Sequence, residues 1–267
     1  MSDKLCNKQR ARRSAMQTLT LMFGLAMTLL AAHQAWAANI TSCPTTLSQP
    51  GHYHLRTDLK CPAGTASAIL IEADDVQLHL NGHTIAANGA GLVSWVGVLV
   101  NGASRVSVMG GTVTNFVFNV VLYNASASDV VNVDASNSMV PKTFGNAITV
   151  QDSTNNRIIN CTANGANFGI LLLGDSDHNT LIANTAHHNT VGGIAIQGYS
   201  DNNTVRANDA EHNPVGISVA DENTGNLMQA NRAWHNTSVD MSDGNVNCDS
   251  NVWESNQFGT ANQACIH

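Results

Sequence analysis

Charge is what this sequence has least of. Only 12% of its 267 residues are charged, 5% are aromatic, and 5 in all are proline. Disordered chains combine few apolar residues with much charge and proline. Here 43% of residues are hydrophobic, so that class is excluded. Coiled coils draw about half their residues from Ala, Glu, Lys, Leu and Arg, which so little charge does not allow. Nucleic-acid binding needs clustered basic side chains, and the net charge is -7, so no nucleic-acid partner is expected. What the chain has instead is amide. It contains 32 Asn, about as many as its Lys, Arg, Asp and Glu together.

Long apolar runs are also scarce. The one at Leu19–Ala32 has 14 residues, short of the roughly 20 that span a bilayer. Five basic residues precede it, and Ala35-Trp36-Ala37 follows as a small-x-small pattern. This is the layout of a secretory signal peptide over residues 1–37, with cleavage after Ala37 or Ala38 and no transmembrane segment in the remainder. Without those residues 7 basic and 18 acidic side chains remain, a net charge of -11. The mature chain is therefore expected in the periplasm or outside the cell. Its acidity disfavours polyanions unless cations bridge them.

Cysteine usage fits export. Cys6 leaves with the leader. Cys43 and Cys61 lie near the start of the mature chain, and Cys248 and Cys265 near its end. Two local disulfides, 43–61 and 248–265, are expected in an oxidising compartment, although spacing alone leaves other connectivities open. Cys161 is left over inside a repetitive region and reads as a buried free thiol.

The repetition is the strongest signal. GILLLGDSDHNTLIANTAHHNTV begins at Gly169, GIAIQGYSDNNTVRANDAEHNPV at Gly193 and GISVADENTGNLMQANRAWHNTS at Gly216. A fourth copy starts at Ala147, and looser ones at Val120, Gly97 and Ala68. Each holds short runs alternating apolar and polar, the period of strands, broken by Asn, Gly, Asp and Ser that accept turn conformations. A unit of 22–24 residues cannot bury its own apolar face, so the copies must stack. Propeller blades need about 40 residues, and the helix segment of leucine-rich repeats is missing. Coils of a parallel β-helix remain.

That architecture accounts for the amides. Asn179, Asn203 and Asn226 fall in one column; Asn184, Asn208 and Asn231 in a second; Asn189, Asn213 and Asn236 in a third. Stacked one strand spacing apart, about 4.8 Å, each amide can donate to one neighbour and accept from the other. Stacked ions of one sign would repel.

The Gly-Ile starts, the Asn columns and the stretch Asn81-Gly82-His83-Thr84-Ile85 resemble right-handed parallel β-helix repeat proteins of the pectate-lyase-like group, including NosD-like exported bacterial members. The resemblance covers roughly residues 65–245. It implies an all-β, single-stranded right-handed parallel β-helix of about seven coils. Residues 38–67 form an N-terminal cap, 68–245 the repeats and 246–267 a C-terminal cap, the ends held by the disulfides. Residues 86–96 and 135–146 are expected to be loops bulging from the coils. The group includes lyases, hydrolases, epimerases, adhesins and accessory proteins, so fold does not select function.

Three sets of side chains carry candidate chemistry. Asp177 and Asp201 share a column, at a spacing near that of a retaining glycosidase pair, about 5 Å. The plainer reading of each is a turn former before its Asn. His188, His212 and His235 form another column beside His187, and imidazole suits copper or zinc. Parallel rings on successive coils do not converge without tilting, so a stacked ladder is the plainer reading. His79 and His83 have the parity of one strand face. Trp95, Tyr123, Tyr199, Trp234 and Trp253 could stack on sugars but share no continuous column, and Trp253 reads as core of the C-terminal cap. Asp209 and Arg232 share an outer column and can pair.

Lyases of this fold pair an Arg base with acidic calcium ligands, and along the sequence no Arg here sits in a recognisable acid cluster. The Gly-His-Gly with paired Asp of the hydrolases and the Asp-Pro-His-Asp of the epimerases are missing too. The expectation is a non-catalytic binding protein of the cell envelope or exterior, for a polysaccharide or a partner. The alternatives are a polysaccharide lyase or hydrolase, with calcium as its candidate ion, and a periplasmic metal-binding accessory protein using copper or zinc.

Overall fold

The computed structural model describes residues 36–88, 94–138 and 145–267. Within them the chain is a parallel β-solenoid of about eight turns with almost no helix. No helix among the described residues is long and apolar enough to cross a membrane. Of the expected signal segment only Trp36 and Ala37 are described, both within the strand Trp36–Ile40. The expected loop 86–96 is shorter than anticipated: Ala86 and Ala87 belong to the strand Thr84–Ala87, Val96 opens the strand Val96–Asn101, and residues 89–93 lie outside the description. Residues 139–144 of the expected loop 135–146 likewise lie outside it.

Two long parallel sheets run the length of the coil. One follows a path of ten strands from Trp36–Ile40 to Val252–Glu254. The second has nine strands, from Thr45–Leu47 to Val239–Asp243. The additional turn beyond the seven expected comes from the N-terminal segment. Trp36–Ile40 pairs with Gly51–Leu55, and Thr45–Leu47 pairs with Ser67–Ile71. A short third sheet, Asp209–Glu211, Arg232–Trp234 and Gln257–Phe258, is prolonged upstream by isolated bridges from Asp134 through Thr162 and Thr185 to Asp209.

Register stacks like upon like. In the second sheet Val120, Ile148, Ile170, Ile194, Ile217 and Met241 form one inward column. In the first, Ile158, Leu181, Val205, Met228 and Trp253 form another. All are buried, so each coil removes its apolar face from water only by lying on the next. The third face is lined inside by the small side chains Ala186, Ala210 and Ala233.

The Asn columns form as the repeats imply. The residue before each ladder Asn is left-handed: Ala183, Ala207 and Ala230 in one column, His188, His212 and His235 in another, all with φ between 53° and 57°. This conformation turns the chain sharply, so the following Asn points inward. Asn208 shows the pattern. Its Oδ1 accepts the backbone N–H and the side-chain Nδ2–H of Asn184, both at 2.9 Å. Its Nδ2 donates to Leu181 O at 2.9 Å and to Asn231 Oδ1 at 3.0 Å. The amides therefore satisfy the buried backbone of the turns, which no apolar residue could do.

Disulfides join Cys43 to Cys61 and Cys248 to Cys265. Cys161 is a buried free thiol whose Sγ lies 3.4 Å from the carbonyls of Val130 and Ile159. Burial pushes that thiol up to about 11.

Candidate metal centre on the third face

Strand alternation decides which side chains of the third face point outward. Ala210 and Ala233 point in, so Asp209, Glu211, Arg232 and Trp234 point out. Ala186 is likewise inward, and His187 follows it on the outer surface. Three coils thus bring His187, Asp209, Glu211 and Arg232 together.

Arg232 Nη1 lies 3.0 Å from Asp209 Oδ2 and also contacts Glu211 Oε1. The pairing of Asp209 with Arg232 is as the columns imply. His187 Nε2 stands 3.4 Å from Asp209 Oδ1, without the alignment of a hydrogen bond. The Glu211 side chain is only 12% exposed. Among the described residues, His187 Nε2, Asp209 Oδ1 and Glu211 Oε1 are the solvent-shielded side-chain atoms that make no hydrogen bond. Each nevertheless meets an ionisable neighbour: Glu211 Oε1 the Arg232 guanidinium, and His187 Nε2 and Asp209 Oδ1 each other. Here all three occur in one cluster.

The expected histidine column lies alongside. His188, His212 and His235 occupy the left-handed position directly after the outer strand residue, which swings their rings outward. Alternation counted from the alanine column would have sent them inward; the left-handed turn breaks that count. His188 and His212 stack at 5.0 Å with their planes 2° apart. His212 and His235 stack at 5.3 Å, tilted by 28°. The column is a ladder, tilted at its last rung. His212 Nδ1 faces Glu211 Oε2 at 3.9 Å.

Two groups could hold a metal ion by the mutual distance of their donor atoms, all within 4.8 Å: His187, Asp209 and Glu211, and then Glu211, His212 and His235. Mixed imidazole and carboxylate donors suit zinc or copper, whereas calcium takes oxygen ligands alone. The shielded, unbonded atoms and this donor chemistry fit a transition-metal ion. His188 takes part only by stacking. Sequence reasoning missed Glu211, although it aligns with His187 and Trp234, one position before the histidine column.

The other expected side chains do not gather into a site. Asp177 Oδ1 accepts the backbone N–H of Asp201 at 2.7 Å, and Asp201 Oδ1 that of Thr224 at 2.6 Å. One oxygen of each carboxylate thus ties a turn to the next coil. His79 and His83 do not share a strand face, because Asn81 and Gly82 turn the chain between them with φ of 54° and 77°. His79 stacks on His54 at 4.8 Å, while His83 meets Asp58 at 3.3 Å. Tyr199 and Trp95 are exposed at separate places, and Trp253 is buried, donating from Nε1 to Asp243 Oδ2 at 2.8 Å.

Fold and disulfides define a disulfide-bonded parallel β-solenoid with a His/Asp/Glu cluster on one face. Within that class the chain belongs to the NosD family: the family model described as "Periplasmic copper-binding protein (NosD)" matches residues 63–264. No curated protein matches the sequence. Among solved structures, the Dettilon tailspike protein is similar with a TM-score of 0.59 and 15% identity, covering 84% of this chain and 54% of the tailspike. A point mutant of the periplasmic alginate epimerase AlgG gives 0.56 and 13%, covering 74% of this chain and 58% of the epimerase. Pectate lyase Pel9A gives 0.55 and 12%, covering 89% and 80%. The chain thus spans little more than half of the tailspike and of the epimerase, and at these identities the likeness is one of fold.

Proposed function

We propose that this chain is a non-catalytic periplasmic binding protein whose third face holds a divalent transition-metal ion, copper or zinc. One observation carries the reading: the shielded, unbonded atoms of His187, Asp209 and Glu211 lie together. Bound there, an ion would add to the charge that Arg232 already sets against the two carboxylates and give His187 Nε2, Asp209 and Glu211 a common partner. His187, Asp209 and Glu211 are the residues that would hold it, with Arg232 as the resident counter-charge. The family description is compatible with copper.

Copper(II) and zinc titration of the purified protein, followed by desalting and metal analysis, tests this. At least one equivalent should stay with the protein. The paired change His187→Ala and Asp209→Asn should release metal from this trio while the protein stays folded by circular dichroism. If the unaltered protein retains no metal, the reading fails.

Polysaccharide binding is the second reading, supported by the exposed rings of Trp95 and Tyr199, which are 56% and 59% accessible. A panel of acidic and neutral polysaccharides, with and without calcium, separates it from catalysis. Binding without product supports the binding reading. Product formation would instead favour a lyase or hydrolase, with Asp177 and Asp201 as the first carboxylates to replace.

A further inference from the structure

The two donor groups are not independent, because both contain Glu211. We infer that Glu211 bridges two metal ions, one on each side of its carboxylate. The inference rests on the metal reading above and deepens it.

The two oxygens of Glu211 face different partners. Oε1 is shielded, makes no hydrogen bond and meets the guanidinium of Arg232, which also holds Asp209. Oε2 faces His212 Nδ1 at 3.9 Å. Backbone geometry accounts for the split. Glu211 is the last residue of the strand Asp209–Glu211, and His212 follows with φ 55°. Glu211 therefore stands where the flat sheet face ends and the turn begins. On its sheet side lie His187 and Asp209. On its turn side lie His212 and His235, with side chains far more open than that of Glu211; the His212 side chain is 49% exposed.

Neither side is complete without this residue. The histidine column alone presents stacked rings, whose nitrogens lie side by side rather than around one point. His235 tilts by 28° against His212, unlike the 2° of the pair before it, and the donor atoms of His212, His235 and Glu211 lie within 4.8 Å of one another. On the sheet side, removing Glu211 would leave one imidazole and one carboxylate. A shared carboxylate also solves an electrostatic problem. Two divalent ions in neighbouring positions repel, and an anion between them offsets that repulsion.

Arg232 gives the two positions different behaviour. Its guanidinium touches Asp209 and Glu211, so it competes with an ion on the sheet side. On the turn side His212 faces the other oxygen of Glu211, Oε2, whereas Arg232 meets Oε1. Arg232→Gln should therefore tighten the sheet-side position, where the guanidinium touches both carboxylates, more than the turn-side one.

Isothermal titration with copper(II) and with zinc, joined to metal analysis and copper paramagnetic resonance, tests the bridge. The expected result is two ions per chain. At two copper equivalents the resonance intensity should fall below that of two isolated ions, because a shared carboxylate couples the spins. The double variant His212→Ala/His235→Ala should bind one ion, as should His187→Ala/Asp209→Asn. Glu211→Gln should weaken both steps by at least tenfold. If Glu211→Gln does not fold, the exposed His212→Ala/His235→Ala pair carries the test. One ion per chain, unchanged when His212 and His235 are removed, overturns the bridge and leaves the single-ion reading standing. No ion at all overturns both.

Discussion

Asn236 donates its backbone N–H at 3.0 Å and its side-chain Nδ2–H at 2.9 Å to one oxygen of Asp240. A column of amides therefore ends on a carboxylate. Within the column every Asn needs a neighbour that accepts, and the last one needs a group that only accepts. Asp supplies that and asks for no further rung. The other oxygen of Asp240 accepts the N–H groups of Gly259 and Thr260 at 3.0 and 2.9 Å. The terminal segment is thereby attached to the last coil.

Acid should loosen this end. Burial pushes the Asp240 carboxyl up, but the donors from Asn236, Gly259 and Thr260 outweigh it and leave it below the ordinary value of 3.8. A carboxyl depressed in the folded state stabilises fully above its unfolded value and loses that contribution as pH falls through the folded one. Urea unfolding midpoints should therefore drop as pH falls below about 3.8. Asp240→Asn should be less stable at neutral pH and show a flatter dependence in that acid range. An identical slope in both proteins would remove Asp240 as the source.

The interior of a column is predicted to be less forgiving than its surface neighbours. Asn208→Ala would strip two donors of Asn184 and the Leu181 carbonyl of their partners. Each buried group left unsatisfied costs about 1–3 kcal/mol, so a loss of about 3 kcal/mol or more is expected in denaturant unfolding. Arg206→Ala, on the exposed face of the same coil, should change stability by less than about 0.5 kcal/mol.

Gly193 is required by space. A Cβ there would stand 2.7 Å from Gly216 O and 2.9 Å from Ala210 Cβ and from Asn213 Nδ2. The carbonyl belongs to the neighbouring coil and cannot rotate away. Gly193→Ala should cost about 1–3 kcal/mol, with the thermal midpoint as the readout.

Cys161 should behave as an inert thiol. With its pKa pushed up to about 11 by burial, it carries almost no thiolate at pH 8. In a chain prepared without residues 1–35, a thiol reagent should leave the folded protein unlabelled and modify one cysteine per chain after denaturation without reduction. Rapid labelling of the folded protein at pH 8 would contradict the buried placement.

Much of this architecture is written locally. The repeat length, the alternating runs and the three Asn columns were legible because each coil repeats the same demand on the same residue types. The two disulfides were legible because each pair is close in sequence. The cluster of His187, Asp209 and Glu211 was not. Its residues occupy columns whose chemistry changes from coil to coil: His187 aligns with Glu211 and Trp234, and Thr185 with Asp209 and Arg232. A column of unlike residues looks like a tolerant surface until its neighbours are placed beside it.

Sequence alone determined that this chain stacks into a parallel β-solenoid, because only stacking buries its apolar columns and pairs its amides. Tertiary structure decided where the histidines point and what they meet. Strand parity holds only while the backbone stays extended, and the left-handed residues at His188, His212 and His235 reset it. That reset swings the rings outward and brings a donor nitrogen of His235, on the next coil, within 4.8 Å of the Glu211 carboxylate, a juxtaposition that no count along the chain contains.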